Sequence, residues 1–150
     1  MNIEIYTYCP SPSSYCKEGQ KEYEKRLSRY CKTKHTFLKN TKQLEKKKAS
    51  FLTSCETSKK QLFLWVHAGS CKSNMNSGQL AKLIEEKGIQ GVSSLTFLVG
   101  FPDEEDFPSR INACSLSISR MEIDSDLLSL ILEEQIYRAY RIIHKEPYHK

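Results

Sequence analysis

Apolar positions along this chain alternate between two periods. In Asn2–Tyr8, Ile3 and Ile5 lie on one side, the two-residue repeat of a strand. Cys9-Pro10-Ser11-Pro12-Ser13-Ser14 fits neither a strand nor a helix interior and predicts a loop. Over Tyr15–Tyr30 the repeat lengthens: Cys16, Tyr23, Leu27 and Tyr30 share a helical face, charged residues fill the others, and Glu22 and Arg26 form a favourable pair four apart. His35–Leu38 predicts a short strand. Leu44, Phe51, Leu52 and Cys55 predict a helix over Thr41–Cys55. Gln61–His67, reading QLFLWVH, is apolar almost throughout, as a strand covered on both faces would be. Ala68–Met75 predicts a polar loop. Ser77–Lys87 predicts an amphipathic helix through Leu80, Leu83 and Ile84, with Gly88 as its stop. Leu95–Val99 predicts a second buried strand ending at Gly100. Phe101–Pro108 follows as an acidic loop, and Cys114–Ser119 as another strand. The last helix is the longest, through Leu128, Ile131, Leu132, Ile136, Ala139, Tyr140 and Ile143. Asp124, Ser125 and Asp126 supply its cap and first-turn charge, and Lys145, Glu146 and Pro147 end it.

Strands alternating with helices predict an α/β fold, one parallel sheet with helices on both faces. Its 150 residues predict a single domain over 1–150. In such sheets ligands bind beyond the carboxyl ends of the strands, here the loops after His67, Val99 and Ser119. No apolar run reaches the roughly 18 residues of a membrane helix, and the first residues lack a basic segment followed by a long apolar one. The expectation is a cytoplasmic protein with no membrane partner. Its six cysteines then read as reduced thiols, since no CxxC pair or zinc spacing occurs. Charge is uneven. Residues 1–60 hold 14 basic and 6 acidic side chains, and residues 61–150 hold 9 and 12, which points to an anionic partner, nucleic acid first.

Several chemistries are absent from the sequence. There is no GxGxxG, no GxxxxGK[ST] and no HExxH, and the four histidines are dispersed, so no metal is expected. Three stretches stand out. In Leu98-Val99-Gly100-Phe101-Pro102-Asp103 a glycine opens a buried strand into a loop. Ser117–Ile123 joins a strand end to the long helix. Residues 133–150, EEQIYRAYRIIHKEPYHK, set Arg138, Arg141 and Lys145 along one side of that helix, followed by aromatic and histidine groups suited to phosphate contact and base stacking.

The run EQIYRAYRI followed by terminal PYHK resembles the RlmH family of small SPOUT-class rRNA methyltransferases. EYEKRLSRY (22–30) is similar to that family's first helix, SLSISRMEI (115–123) to its cofactor-loop segment, and FLVGFP stands where its glycine loop follows a strand. The resemblance covers essentially the whole chain. It implies a homodimer with a SPOUT-type C-terminal trefoil knot that binds S-adenosyl-L-methionine and methylates ring N3 of a pseudouridine in 23S rRNA of the ribosome. It places cofactor contacts on Trp65, Gly100, Ile118, Ser119, Arg120, Met121, Glu122 and Ile123. It places catalytic and substrate roles on Arg138, Tyr148 and His149, with His149 as the group of suitable basicity. Lys42 and Lys46–Lys48 would meet phosphates.

The chain departs from the family at three places. The loop usually reading GGPEG is Gly100-Phe101-Pro102-Asp103-Glu104. A histidine and an arginine near the start of the last helix correspond to Ser125 and Ser129. A glycine after the first strand corresponds to Cys9. These departures leave a second reading open, a non-catalytic ribosome- or RNA-binding homologue that has lost its cofactor.

Overall fold

The computed structural model describes residues 1–69, 74–102 and 106–148. The elements are β1 (Asn2–Tyr8), α1 (Ser14–Leu27), β2 (Lys32–Leu38), α2 (Thr41–Thr57), β3 (Gln61–Ala68), α3 (Ser77–Ile89), β4 (Ser94–Val99), α4 (Phe107–Arg110), β5 (Cys114–Ser119) and α5 (Ser125–Ile143). Five strands form one sheet in the order β2-β1-β4-β3-β5, and every ladder is parallel.

Strand parity sorts the apolar side chains into two cores. Phe63 and Trp65 of β3 join Tyr6, Leu98, Leu44, Phe51 and Phe107 on the face covered by α2 and α4. Leu64 and Val66 join Ile3, Ile5, Leu95, Phe97 and Val99 on the other face, beneath α1, α3 and α5. The near-continuous apolar reading of β3 is therefore that of a strand covered twice. α5 packs against both α1 and α3, and its Leu128, Leu132, Ile136, Ala139 and Tyr140 are buried.

Four local readings change. β2 begins at Lys32, because it pairs with β1 along its whole length, Asn2↔Lys32 to Tyr8↔Leu38. Pairing, not side-chain pattern, makes the polar run KTKH a strand. α3 passes through Gly88 to Ile89, and Gly91, at φ +82°, takes the left-handed position that ends it. Within the expected acidic loop, Phe107–Arg110 forms a short helix with Pro108 in its first turn, anchored by buried Phe107 and Ile111. Asp124 takes the N-cap position of α5 without a side-chain cap bond, and the first-turn Asp126 reaches beyond its own helix. Its carboxylate accepts from Ser13 N (2.9 Å), Ser13 Oγ (2.7 Å) and Leu127 N (2.8 Å), tying the start of α5 to the start of α1. Burial works against its ionisation, but these bonds outweigh it and hold the carboxyl below its ordinary pKa.

A polar pair lies inside the α1/α5 face. His35 Nδ1 is 2.7 Å from Glu133 Oε1, and His35 Nε2 is 2.8 Å from Thr7 Oγ1, with the two ionisable side chains 4% and 0% exposed. Burial pushes His35 down to about 4 and Glu133, with help from the nearby Glu24, up to about 9. Both therefore prefer their neutral forms, with the Glu133 hydroxyl donating to Nδ1 and Nε2–H donating to Thr7. Taken from ordinary values of 6.5 and 4.5, the linkage has a definite shape. Between about 4 and 4.5 the unfolded chain holds one more proton than the folded pair. Between 4.5 and 6.5 the two hold equal numbers. Between 6.5 and about 9 the folded pair holds one more. Stability from this pair is thus greatest between 4.5 and 6.5 and falls toward pH 9. Glu133→Gln keeps the donor and removes the titration, so its urea midpoint is expected to fall less than wild type between pH 6.5 and 9. Parallel curves for the two proteins would place the alkaline loss elsewhere.

Among the described residues Cys9, Cys16, Cys31, Cys55 and Cys114 are free. Burial raises the pKa of Cys16, Cys31 and Cys55, which lowers their thiolate fraction. No helix among the described residues is long and apolar enough to cross a membrane. No group of three or more His, Cys, Asp or Glu side chains among them could hold a metal.

Candidate active site

A cleft of about 1080 Å³ opens beyond the carboxyl ends of β3 and β4, beside the segment that follows β5. Trp65, Val66, His67, Ala68 and Ser115 form its strand side, and Gly100 and Phe101 one rim. Pro108 and Ser109 of α4 stand opposite Glu122, Ile123, Asp124, Ser125 and Leu128. The segment from β5 to α5 is drawn across the end of β3 because Gly69 N donates to both Ser119 O and Met121 O, at 3.0 Å each. Gly69 has φ +79°, and a Cβ there would lie 2.9 Å from Glu122 Cγ, so glycine is required for that crossing.

The cleft gathers four of the expected cofactor residues: Trp65, Gly100, Glu122 and Ile123. The other four stand apart from its walls. Ile118 lines a separate hollow with Leu116, Leu80 and Ile131, on the α3/α5 face. Ser119 spends its hydroxyl on Met121 N and its carbonyl on Gly69 N. Arg120 is exposed, and Met121 is 76% exposed. Trp65 is itself buried, with Phe101 and Phe107 edge-on at 5.7 and 6.0 Å, so it braces the cleft more than it faces it. Gly100 has φ +70°, and a Cβ there would sit 2.2 Å from Ser125 Oγ and 2.9 Å from Tyr8 O. The space this glycine leaves is filled by the first turn of α5. Asp103 and Glu104 lie outside the described residues. Sequence reasoning missed His67, Ala68 and Asp124, although strand ends are where such a fold binds ligands. It also missed Ser115, which lies at the amino end of β5. Pro108 and Ser109 carried no signal, because α4 itself was unexpected.

The lining suits S-adenosylmethionine. Glu122 and Asp124 offer carboxylates to a cationic ligand, Val66, Ile123 and Leu128 offer apolar wall, and Ser109, Ser115 and Ser125 offer hydroxyls.

Arg138 and Tyr148 form a second cluster. Arg138 Nε and Nη2 donate to Glu134 Oε1 at 3.1 and 2.9 Å, and the same oxygen accepts from Tyr148 OH at 3.2 Å. The Arg138 guanidinium lies 5.1 Å from the Tyr148 ring centre, and Tyr137 meets that ring edge-on at 5.0 Å. Burial, then the Tyr23 hydroxyl and Glu134, push the Tyr148 phenol up to about 12, which makes it a donor at neutral pH and not a base. Tyr148 is therefore packed against the core and the Tyr137 ring rather than left free beyond the helix. Tyr148→Ala should cost about 1 kcal/mol, the scale of an aromatic contact plus a partly buried hydrogen bond; a thermal melt identical to wild type would mean the tail does not pack in solution. His149 lies outside the described residues. Ser125 opens α5 at the cleft and Arg138 lies about 20 Å further along its axis, so one chain does not bring the two clusters together.

A doubly covered parallel sheet with its cleft at the strand ends and a last helix running back between two others defines a class of cofactor-binding α/β domain. The comparisons narrow it. The sequence profile described as predicted SPOUT methyltransferase matches residues 1–149. The ribosomal RNA large subunit methyltransferase H 1 of Thermoanaerobacter sp. (strain X514) is 34% identical over 152 residues, covering 100% of both chains. The ribosomal RNA large subunit methyltransferases H of Clostridioides difficile (strain 630) and Shouchella clausii (strain KSM-K16) are 34% and 32% identical, again over 100% of both chains. The chain belongs to the SPOUT methyltransferase family. It is accordingly an enzyme whose methyl donor is S-adenosylmethionine.

Proposed function

We propose that this protein methylates ring N3 of a pseudouridine in 23S rRNA of the ribosome, in the cytoplasm, as a knotted homodimer. The observation that carries the reading is the full-length likeness to ribosomal RNA large subunit methyltransferases H, joined to a cleft at the expected strand ends. The knot is supported by the path of the chain. After β5 it crosses the end of β3 at Gly69, reaches Gly100 at the end of β4, and only then turns into α5 between α1 and α3. The homodimer is supported by the separation of cleft and tail, since a second copy can supply the tail that one chain holds too far away. Sedimentation at micromolar concentration checks it.

Glu122 and Asp124 would face the donor's positive charge, with Ile123 and Leu128 against its apolar parts. The bound donor supplies a methyl group on a cationic sulfur, so no further activation of that carbon is needed. The protein's part is alignment of the acceptor and removal of its proton. Tyr148 donates a hydrogen bond to a uracil oxygen, Arg138 steadies the developing negative charge, and His149 accepts the N3 proton. Glu134, which holds both Arg138 and Tyr148, positions them. The non-catalytic reading has no support in the comparisons, and the open, carboxylate-bearing cleft speaks for a working donor site. Mass spectrometry of 23S rRNA from a deletion strain, with and without the gene restored, tests the function; an unchanged pseudouridine would refute it.

A further inference from the structure

We infer that the outer edge of the sheet, β2 with the first half of α2, is a docking platform for the sugar–phosphate backbone of RNA. It lies apart from the cleft and rests on the proposed action on rRNA. β2 pairs only with β1, so its other edge leaves backbone N–H and C=O groups open. Beside that edge is a hollow of about 340 Å³ lined by Thr36, Phe37 and Leu38 of β2 and by Lys46, Lys47 and Ser50 of α2. Lys34, Lys39, Lys42 and Lys46 around it are exposed. None of them, nor Lys47, forms an ion pair with a carboxylate among the described residues. The nearest helical acid, Glu45, is 3.6 Å from Lys48 instead. Lys42 and Lys46 stand one turn apart on one side of α2.

Lys48 is not part of this surface, although the sequence suggested it. It is 4% exposed, turned inward at Glu45 and 5.3 Å from the centre of the Phe107 ring. Lys47 is half-committed, its ammonium 4.5 Å from the Tyr6 ring.

The partner's chemistry follows from what the platform offers. Uncompensated lysines meet repeating anionic charge, and open strand-edge groups and hydroxyls meet ribose. The placement agrees. α2 starts just after the carboxyl end of β2, the same end of the sheet at which the cleft opens. β4 and β3 lie two and three strands away, about 10–15 Å. RNA placing one nucleotide in the cleft would carry neighbouring phosphates over these lysines.

The test is binding of the purified full-length protein to ribosomes across a salt series. It uses wild type, the triple variant Lys39→Gln, Lys42→Gln, Lys46→Gln, and a control triple on the opposite face, Lys21→Gln, Lys82→Gln, Lys87→Gln. The platform variant is expected to bind roughly tenfold or more weakly at moderate salt. Its slope of log K against log salt should become shallower by about 2–3, near one for each phosphate no longer neutralised. The control should weaken far less, and S-adenosylmethionine affinity should be unchanged in both. Ultraviolet cross-linking should leave a nucleotide on the 36–50 peptide. Equal weakening in the two triples, an unchanged slope, or cross-links from this peptide to ribosomal protein alone would overturn the platform. Wild type that shows lysine-dependent binding but no methyl transfer would uphold the platform and refute the methylation reading.

Discussion

His149→Ala is expected to lower methyl transfer to ribosomes by roughly 10²- to 10⁴-fold, the usual contribution of a general base, with S-adenosylmethionine affinity unchanged. The split follows from the layout. The carboxylates and apolar walls that suit the donor belong to the cleft at the start of α5, whereas Arg138 and Tyr148 sit toward its other end. Removing a base from the tail therefore leaves the chain's own donor walls intact. Full turnover by the variant would take His149 out of the mechanism. Lost donor binding would mean that the tail closes over the cleft. Mixing gives a sharper readout. If each reaction uses one copy's cleft and the other's tail, His149→Ala combined with Glu122→Ala should recover activity that neither has alone, through mixed dimers with one intact site. No recovery in dimers shown to exchange would place cleft and tail in the same chain.

Gly100→Ala is expected to be the most damaging single-methyl substitution in the protein, at about 3 kcal/mol or more, or roughly 6–12 °C in melting temperature. Two penalties add. The backbone is at φ +70°, which side chains disfavour, and the new carbon would stand 2.2 Å from Ser125 Oγ and 2.9 Å from the Tyr8 carbonyl. A flexible side chain could move aside, but the Tyr8 backbone cannot do so without disturbing β1. Gly91→Ala is the matched comparison: φ is +82°, yet nothing lies within 4 Å of the added carbon, so only the conformational term of about 1 kcal/mol remains. Adding Ser125→Gly to Gly100→Ala should restore part of the loss. If Gly100→Ala melts no lower than Gly91→Ala, crowding by α5 is not what requires glycine. A valine at Gly100 would accordingly report on folding before it reported on donor binding.

The strands that are buried on both faces were the most legible, because QLFLWVH has few other ways to be satisfied. α5 was legible for a related reason, its apolar side chains recurring over many turns. β2 was half-hidden, since its lysines and threonines become a strand only through pairing with β1. α4 was hidden because four residues are too few to show a period. At the site, the strand-end rule located the cleft, and the likeness to a family named Glu122 and Ile123. It also named Ile118, which alternation along β5 turns to the α3/α5 face. Nothing local marks Ser13 as the partner of Asp126, or His35 as that of Glu133, because those pairs are 113 and 98 residues apart.

That α5 lies between α1 and α3 bears on how the molecule is made. Leu128, Leu132, Ile136, Ala139 and Tyr140 complete the larger core, and they are translated after every strand of the sheet. A nascent chain holding β1 to β5 has its sheet but lacks the wedge between its two outer helices, so one apolar face stays open until α5 is made. Domains ordinarily fold as their segments emerge, and this one cannot close its larger core before α5 has emerged. A premature stop anywhere before α5 should therefore give an aggregation-prone product, not a smaller enzyme.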